Sequence, residues 1–364
     1  MKIDIIAGAR PNFMKIAPII FEISLNQNKN LNITYRLIHT GQHYDKRMSD
    51  SFFNQLKIPN PDINLGVGSG THSEQTARIM IEYEKVLLNN PKPDICLVVG
   101  DVNSTLACSI VAKKMKIKVA HVEAGIRSSD LNMPEEINRI VTDSITDYFF
   151  TTSKKANDNL KKLGVHNKQI MFVGNTMIDT LLKNINKFKK PSFYEKLNLK
   201  TKKYFVLTLH RPSNVDQNSK LLNTVKIINN NVNNLPVIFP AHPRTLNILS
   251  KSKFNFDNIK IVNPQPYFEF NYLVKNSLCV ITDSGGITEE TTVMGVPCMT
   301  LRDNTERPET VEIGTNELVG SDPNNLIPFF KVLFNNKWKN GTIPEFWDGK
   351  ASKRIVDFLK IIKN

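Results

Sequence analysis

The sequence predicts an α/β protein made of two halves, each a parallel sheet wrapped by helices. Three observations carry that prediction. Short apolar runs alternate with amphipathic segments; several runs are continuous Val, Ile and Leu, as strands covered on both faces require; and the alternation occurs twice over. In the first half, strands are expected over 3–7, 35–39, 95–99, 118–122, 148–151 and 171–173. Helical spacing fills the intervals, as at 73–88, 105–115 and 134–146. In the second half, strands are expected over 204–209, 237–239, 260–262, 279–282 and 298–301. The Lys-rich tract 188–203 reads as a surface connection, and 351–362 is helical by spacing, able to pack on either half. Right-handed crossovers then make both halves doubly wound and Rossmann-like. The expected domains are 1–173 and 174–350.

Composition narrows the function classes. The 364 residues suit two domains, and 40% apolar with 23% charged residues excludes bulk disorder, collagen and coiled coil. Lys+Arg 48 against Asp+Glu 34 leaves +14. The excess is lysine spread along the chain, a solvated surface that also favours an anionic ligand such as a nucleotide. No basic stretch interleaves with aromatics, so nucleic acid is not an expected partner. Cys96, Cys108, Cys279 and Cys298 lie in or beside apolar runs and form no CxxC pair. They read as reduced, buried residues of a cytoplasmic enzyme. No uncharged apolar stretch reaches the length of a membrane span, so no membrane association is expected.

In open α/β sheets ligands bind beyond the carboxyl ends of the strands, so the residues after each strand carry the functional signal. After the first comes Gly8-Ala9-Arg10-Pro11, then Lys15: a glycine turn into a helix N-terminus, with two cations, suited to a phosphate or equally to a plain turn. It is not G-x-G-x-x-G. The loop with Gln42, His43 and Tyr44 is polar, and His43 reads as structural. Asp101 follows the third strand, either as a helix cap or as a carboxylate aimed into a cleft. Glu123 ends the fourth, and Pro134-Glu135-Glu136 opens a helix. Three acidic positions at one sheet edge suit paired acid and base catalysis. His121 with Glu123 is too little for a zinc site. In the second half, His210-Arg211 and His242-Pro243-Arg244 end strands. Asp283-Ser284-Gly285-Gly286 opens a helix whose free N–H groups suit a diphosphate, with Glu290 further along for ribose hydroxyls. Arg302 and Arg307 follow the last strand.

Taken together, Gly8-Ala9-Arg10-Pro11 with Lys15, Gly100-Asp101, His121-Val122-Glu123-Ala124-Gly125, Pro134 to Arg139, His210-Arg211, Asp283 to Gly286 with Glu289-Glu290, and Glu306 to Glu309 resemble the non-hydrolysing UDP-N-acetylglucosamine 2-epimerases, in order, from residue 1 to about 315. The resemblance implies a glycosyltransferase-B-like fold, with two Rossmann-like domains facing a deep cleft and the C-terminal helix, 351–364, returning to the first. It implies a homodimer with a UDP-sugar substrate and no nicotinamide or metal cofactor. The implied reaction interconverts UDP-N-acetylglucosamine and UDP-N-acetylmannosamine through 2-acetamidoglucal and UDP.

Carried over by position, the resemblance makes Asp101, Glu123, Glu135 and His210 catalytic. Arg10, Lys15, Gln265, Phe270, Ser284, Gly285, Gly286, Glu290 and Arg307 would bind substrate, with Gln265 and Phe270 cradling the uracil. One departure stands out. Substrate-activated bacterial members carry a glutamine where this chain has Gly70-Thr71, and Gly68-Ser69-Gly70-Thr71-His72 is similar instead to archaeal members and to epimerases of UDP-2,3-diacetamido-glucuronate. That sugar and a hydrolysing relative are the alternatives within the chemistry. A glycosyltransferase of the same fold has no evident need for three carboxylates in its first domain.

Overall fold

A computed structural model describes residues 1–27, 33–41, 55–215, 217–241, 243–251, 254 and 256–363. The chain divides into two compact units: Met1–Lys183 with Glu345–Asn364, and Asn184–Pro344.

The first unit is a parallel sheet of seven described strands: β1 Lys2–Ala7, β2 Thr34–His39, β3 Ile63–Asn64, β4 Ile95–Val99, β5 Lys118–Val122, β6 Tyr148–Thr151 and β7 Ile170–Phe172. Their spatial order is β3-β2-β1-β4-β5-β6-β7. The strand order reverses between β1 and β4, where Ile3, Asp4 and Ile5 face Ile95, Cys96 and Leu97. That reversal marks the ligand crevice of a doubly wound sheet. β4 is buried at every position, which explains its unbroken apolar run. The helices His72–Asn89 and Asn103–Lys114 close one face, with Ile79, Tyr83, Ala107 and Val111 packed on Ile6, Cys96 and Val98.

The first unit runs on past residue 173 because the helix Thr176–Asn184 serves the C-terminal helix Ala351–Lys363. Asp179 accepts from the N–H groups of Ala351 (3.0 Å) and Ser352 (2.7 Å), satisfying two donors at that helix start. The Trp347 indole donates to Thr152 O, and Phe358 packs edge-on against Phe150.

The second unit repeats the plan with β8 Phe205–Thr208, β9 Val237–Pro240, β10 Ile259–Val262, β11 Cys279–Thr282, β12 Cys298–Thr300 and β13 Asn316–Leu318, ordered β10-β9-β8-β11-β12-β13. The reversal falls between β8 and β11. Its two faces hold separate cores, one around Phe205, Phe239 and Phe330, the other around Tyr194, Tyr204 and Val206. The tract 188–203 is therefore more than a surface connection. Tyr194 and Leu199 are buried, and Tyr194 stacks edge-on with Tyr204 and Tyr272. Its lysines disguise this, because they alternate with the aromatic residues that turn inward.

Strands β3 and β13 escape sequence reading because they are short edge strands of mixed polarity. All four cysteines are free and buried. No described helix is long and apolar enough to cross a membrane. Among the described residues, no three His, Cys, Asp or Glu side chains gather as a metal site requires.

Candidate active site

In the first unit the residues after β1, β4 and β5 meet at the strand-order reversal. Gly8 is required there by close approach: a Cβ would fall 2.0 Å from Ser104 Oγ, which bonds Thr40 Oγ1 at 2.7 Å. Asn12 ties β1 to β4, accepting from the N–H groups of Gly8 and Ala9 and donating to Val99 O. This fixes the first turn of the helix Arg10–Gln27, which carries Lys15. Lys15 Nζ lies 2.6 Å from Glu123 Oε2, and both side chains are buried. Glu123 sits in the left-handed region, φ 74°, which strains a residue with a side chain. Its N–H and that of Ala124 both donate to Phe150 O, holding the conformation.

Asp101 is not a helix cap. The cap position belongs to Val102, and the Asp101 carboxylate instead receives Arg139 Nη2 at 2.6 Å and Nε at 3.1 Å on the same oxygen. Asn138 donates to the Asp101 carbonyl. Arg139 also reaches Glu136 at 2.7 Å, and Glu136 accepts from the N–H groups of Ser128 and Ser129. Burial opposes the charge on Glu136, but these donors and Arg139 outweigh it and hold the carboxyl below its usual range.

Glu135 is half-buried at the start of the helix Pro134–Ile145 and makes no hydrogen bond or ion pair among the described residues. That helix has inverted polarity: Glu136, Arg139 and Asp143 are buried, while Ile137 and Ile140 are exposed. The Arg10 side chain and the residues Gln42, His43, Tyr44 and His242 lie outside what the structure describes, as does the Arg244 side chain.

In the second unit β8 and β11 converge in the same way. His210 Nδ1 lies 2.6 Å from Asp283 Oδ1, with the imidazole 62% exposed and Asp283 fully buried. Asp283 also accepts from the N–H groups of His210 and Arg211 and from Asn214 Nδ2. Burial would lift its carboxyl, but His210 and these donors hold it below the usual range. A buried carboxylate thus orients a solvent-facing imidazole.

Ser284 caps the helix Gly285–Met294 by position only, since its side chain makes no capping bond, and residues 284–287 are partly exposed. The N–H groups of Gly285 and Gly286 at this helix start suit an anion, whereas that of Ser284 already donates to Thr282 Oγ1 at 3.0 Å. A Cβ on Gly285 would lie 3.3 Å from Glu306 Oε1 and 3.8 Å from Arg302 Nη1, and Arg302 pairs with Glu306 at 2.6 Å. Glu290 is buried and accepts from the Tyr267 hydroxyl at 2.9 Å. Burial first, then the Glu290 charge, push the Tyr267 phenol up and keep it a donor. Arg307 pairs with buried Glu289 through Nε. Gln265 bonds Asn263 O in the loop before the helix Tyr267–Asn276, and Phe270 packs partly on the core around Tyr204.

Sequence reading missed the orienting roles of Arg139, Asp283 and Glu289 and the burial of Asp143. The spacing 136, 139, 143 placed three charges on one helix face, a signal that ordinarily reads as a solvated stripe.

The model of the UDP-N-acetylglucosamine 2-epimerase family matches residues 25–360. The chain belongs to this family. As a member it is an epimerase. The UDP-N-acetylglucosamine 2-epimerase of Methanocaldococcus jannaschii is 46% identical over 373 residues, covering 99% of each chain. The UDP-2,3-diacetamido-2,3-dideoxy-D-glucuronate 2-epimerase of Pseudomonas aeruginosa is 38% identical, again over 99% of each. Among solved structures, that of the M. jannaschii epimerase with UDP-GlcNAc and UDP is 45% identical, covers 99% of this chain and 100% of its own, and has a TM-score of 0.87. This epimerase family member is thus matched end to end by both a curated relative and a structure.

Proposed function

We propose that the protein interconverts UDP-N-acetylglucosamine and UDP-N-acetylmannosamine without net hydrolysis. The full-length identity to the M. jannaschii epimerase carries this reading. The arrangement of carboxylates and donors supports its chemistry. A base removes the proton from sugar C2 while the C1–O bond breaks, its electron pair leaving with the β-phosphate oxygen of UDP. A C1=C2 double bond forms, giving 2-acetamidoglucal. UDP then adds back at C1 as an acid returns a proton to the opposite face of C2.

Asp101, Glu123 and Glu135 are proposed as the proton-transfer groups. Asp101 and Glu123 are held by Arg139 and Lys15, so their oxygens are positioned before substrate arrives. The N–H groups of Gly285 and Gly286 and the Ser284 hydroxyl, with His210, would stabilise departing UDP, while Glu290 and Arg307 would bind the nucleotide. Gln265 is proposed at the uracil; Phe270, partly committed to the core, could offer only its exposed edge. The resemblance also favours a homodimer, which light scattering of the purified protein would check.

A second reading has a specific basis in the Pseudomonas relative: the substrate would be UDP-2,3-diacetamido-glucuronate. Proton NMR with UDP-N-acetylglucosamine in deuterium oxide separates the readings. The expected result is UDP-N-acetylmannosamine carrying deuterium at C2. Free N-acetylmannosamine with UDP would assign a hydrolysing enzyme. An unchanged spectrum, with turnover of the diacetamido-uronate, would assign the second sugar.

A further inference from the structure

We propose that His121 is a positioning residue, held doubly protonated, that fixes the two strand ends carrying Asp101 and Glu123. Its imidazole is fully buried on β5. Nδ1 lies 2.7 Å from Asp143 Oδ1, and Nε2 lies 2.8 Å from the carbonyl oxygen of Gly100. Both partners are acceptors. A neutral imidazole has one N–H and one lone pair, so either neutral tautomer would set a lone pair against an oxygen. Asp143 is a poor source of the missing proton, because its other oxygen already accepts from Arg127 at 2.7 Å and from the Gly125 N–H at 3.1 Å. Burial works against the Asp143 charge, yet His121 and Arg127 hold its carboxyl below the usual range. An imidazolium donating from both nitrogens satisfies every group.

That ring joins three pieces of the candidate site. Gly100 follows β4 directly, in the left-handed region, φ 66°, and is followed in turn by Asp101. Glu123, two positions beyond His121, is left-handed as well. Asp143 lies on the helix that presents Arg139 to Asp101. The imidazolium clamps the Gly100 carbonyl, and so the direction in which Asp101 leaves its strand, while its own backbone leads into Glu123. A glutamine cannot replace it, since its one amide nitrogen and one oxygen cannot donate to acceptors on opposite sides.

The catalytic consequence rests on the epimerase reading above, so the test has two arms. The first is the long-range proton–nitrogen spectrum of the full-length protein labelled with ¹⁵N-histidine. The exchange-protected ring should show two protonated nitrogens. One unprotonated nitrogen on that ring would overturn the proposal whatever the enzyme does. The second arm is kinetic. His121→Gln should lower kcat about 10²-fold with KM and UDP affinity within about threefold, while keeping a cooperative thermal transition. Wild-type kcat in folded His121→Gln, or equal losses of kcat and UDP affinity, would overturn the positioning role. If His121→Gln does not fold, Asp143→Asn serves. It should return the ring to a single proton and lower kcat by a similar factor, and a retained imidazolium signature or wild-type kcat would overturn the idea. An inactive wild-type protein would remove the epimerase reading and leave the spectrum to decide the imidazolium.

Discussion

Thr180 Oγ1 donates a 2.6 Å hydrogen bond to the carbonyl of Met14. That carbonyl is the acceptor that Pro18, inside the helix Arg10–Gln27, cannot serve because proline has no N–H. The bond closes a gap in the turn that holds Lys15. Thr180→Val should destabilise the protein by about 1–2 kcal/mol, as a buried carbonyl loses its donor. Chemical denaturation would measure this. Unchanged stability would show that the helix needs no outside donor.

The Lys15–Glu123 pair carries the next expectation. Glu123→Gln should lower turnover by about 10²- to 10⁴-fold if Glu123 transfers a proton. It also leaves Lys15 without this counter-charge in a buried place, so stability should fall by about 3 kcal/mol. Lys15→Met removes the cation instead and should move the acidic limb of the pH–rate profile upward. A profile that stayed in place would separate Glu123 from catalysis.

Asp101→Asn should spare nucleotide binding. Arg139 keeps its partner Glu136, so the local frame survives while the carboxylate is lost. Turnover is expected to drop by about 10²-fold or more, with UDP affinity by calorimetry close to wild type. Loss of UDP affinity would show that Asp101 serves binding.

Arg307→Ala should do the reverse. Removing a charged donor and leaving Glu289 without this buried cation should weaken UDP binding by about 10- to 100-fold, the equivalent of about 1.5–3 kcal/mol. Unaltered calorimetric affinity would remove Arg307 from the nucleotide site.

Glu309 predicts a pH dependence of stability. Burial lifts its carboxyl from 4.5 to about 7, against the pull of Arg307. The folded state therefore keeps a proton that the unfolded chain releases at lower pH. Its contribution to stability is fully present below about pH 4.5 and is lost as pH rises to about 7. At about 1.36 kcal/mol per pH unit the loss is on the order of 3 kcal/mol. Glu309→Gln does not titrate. Its melting temperature relative to wild type should rise across that window and level off above it. A constant difference at every pH would mean the carboxyl titrates normally.

Much of the candidate site was legible because it sits where topology puts it. Asp101, Glu123, His210 and Ser284 all follow strands that flank or neighbour a strand-order reversal, and Ser-Gly-Gly announces an open helix start. The helix 134–145 was legible as a helix but not as an inside-out one. Pattern reading sends charge to water, whereas here Glu136 and Arg139 are buried by pairing with each other, and Asp143 by pairing with His121. Glu123 gave no sign of its left-handed backbone, because nothing in Val-Glu-Ala demands it.

The amino-acid order alone determined two doubly wound parallel sheets, the strand ends at which the candidate site residues gather and the burial of the cysteines. Those are consequences of local period and of which residues can be covered on both faces. The pairings came only with folding: Lys15 to Glu123, Arg139 to Asp101, His121 between Asp143 and Gly100, and Asp283 behind His210. Each joins positions far apart in the chain, and each is stable because burial makes an unsatisfied charge or hydrogen-bonding group costly. That cost depends on three-dimensional neighbours, which no window of sequence contains.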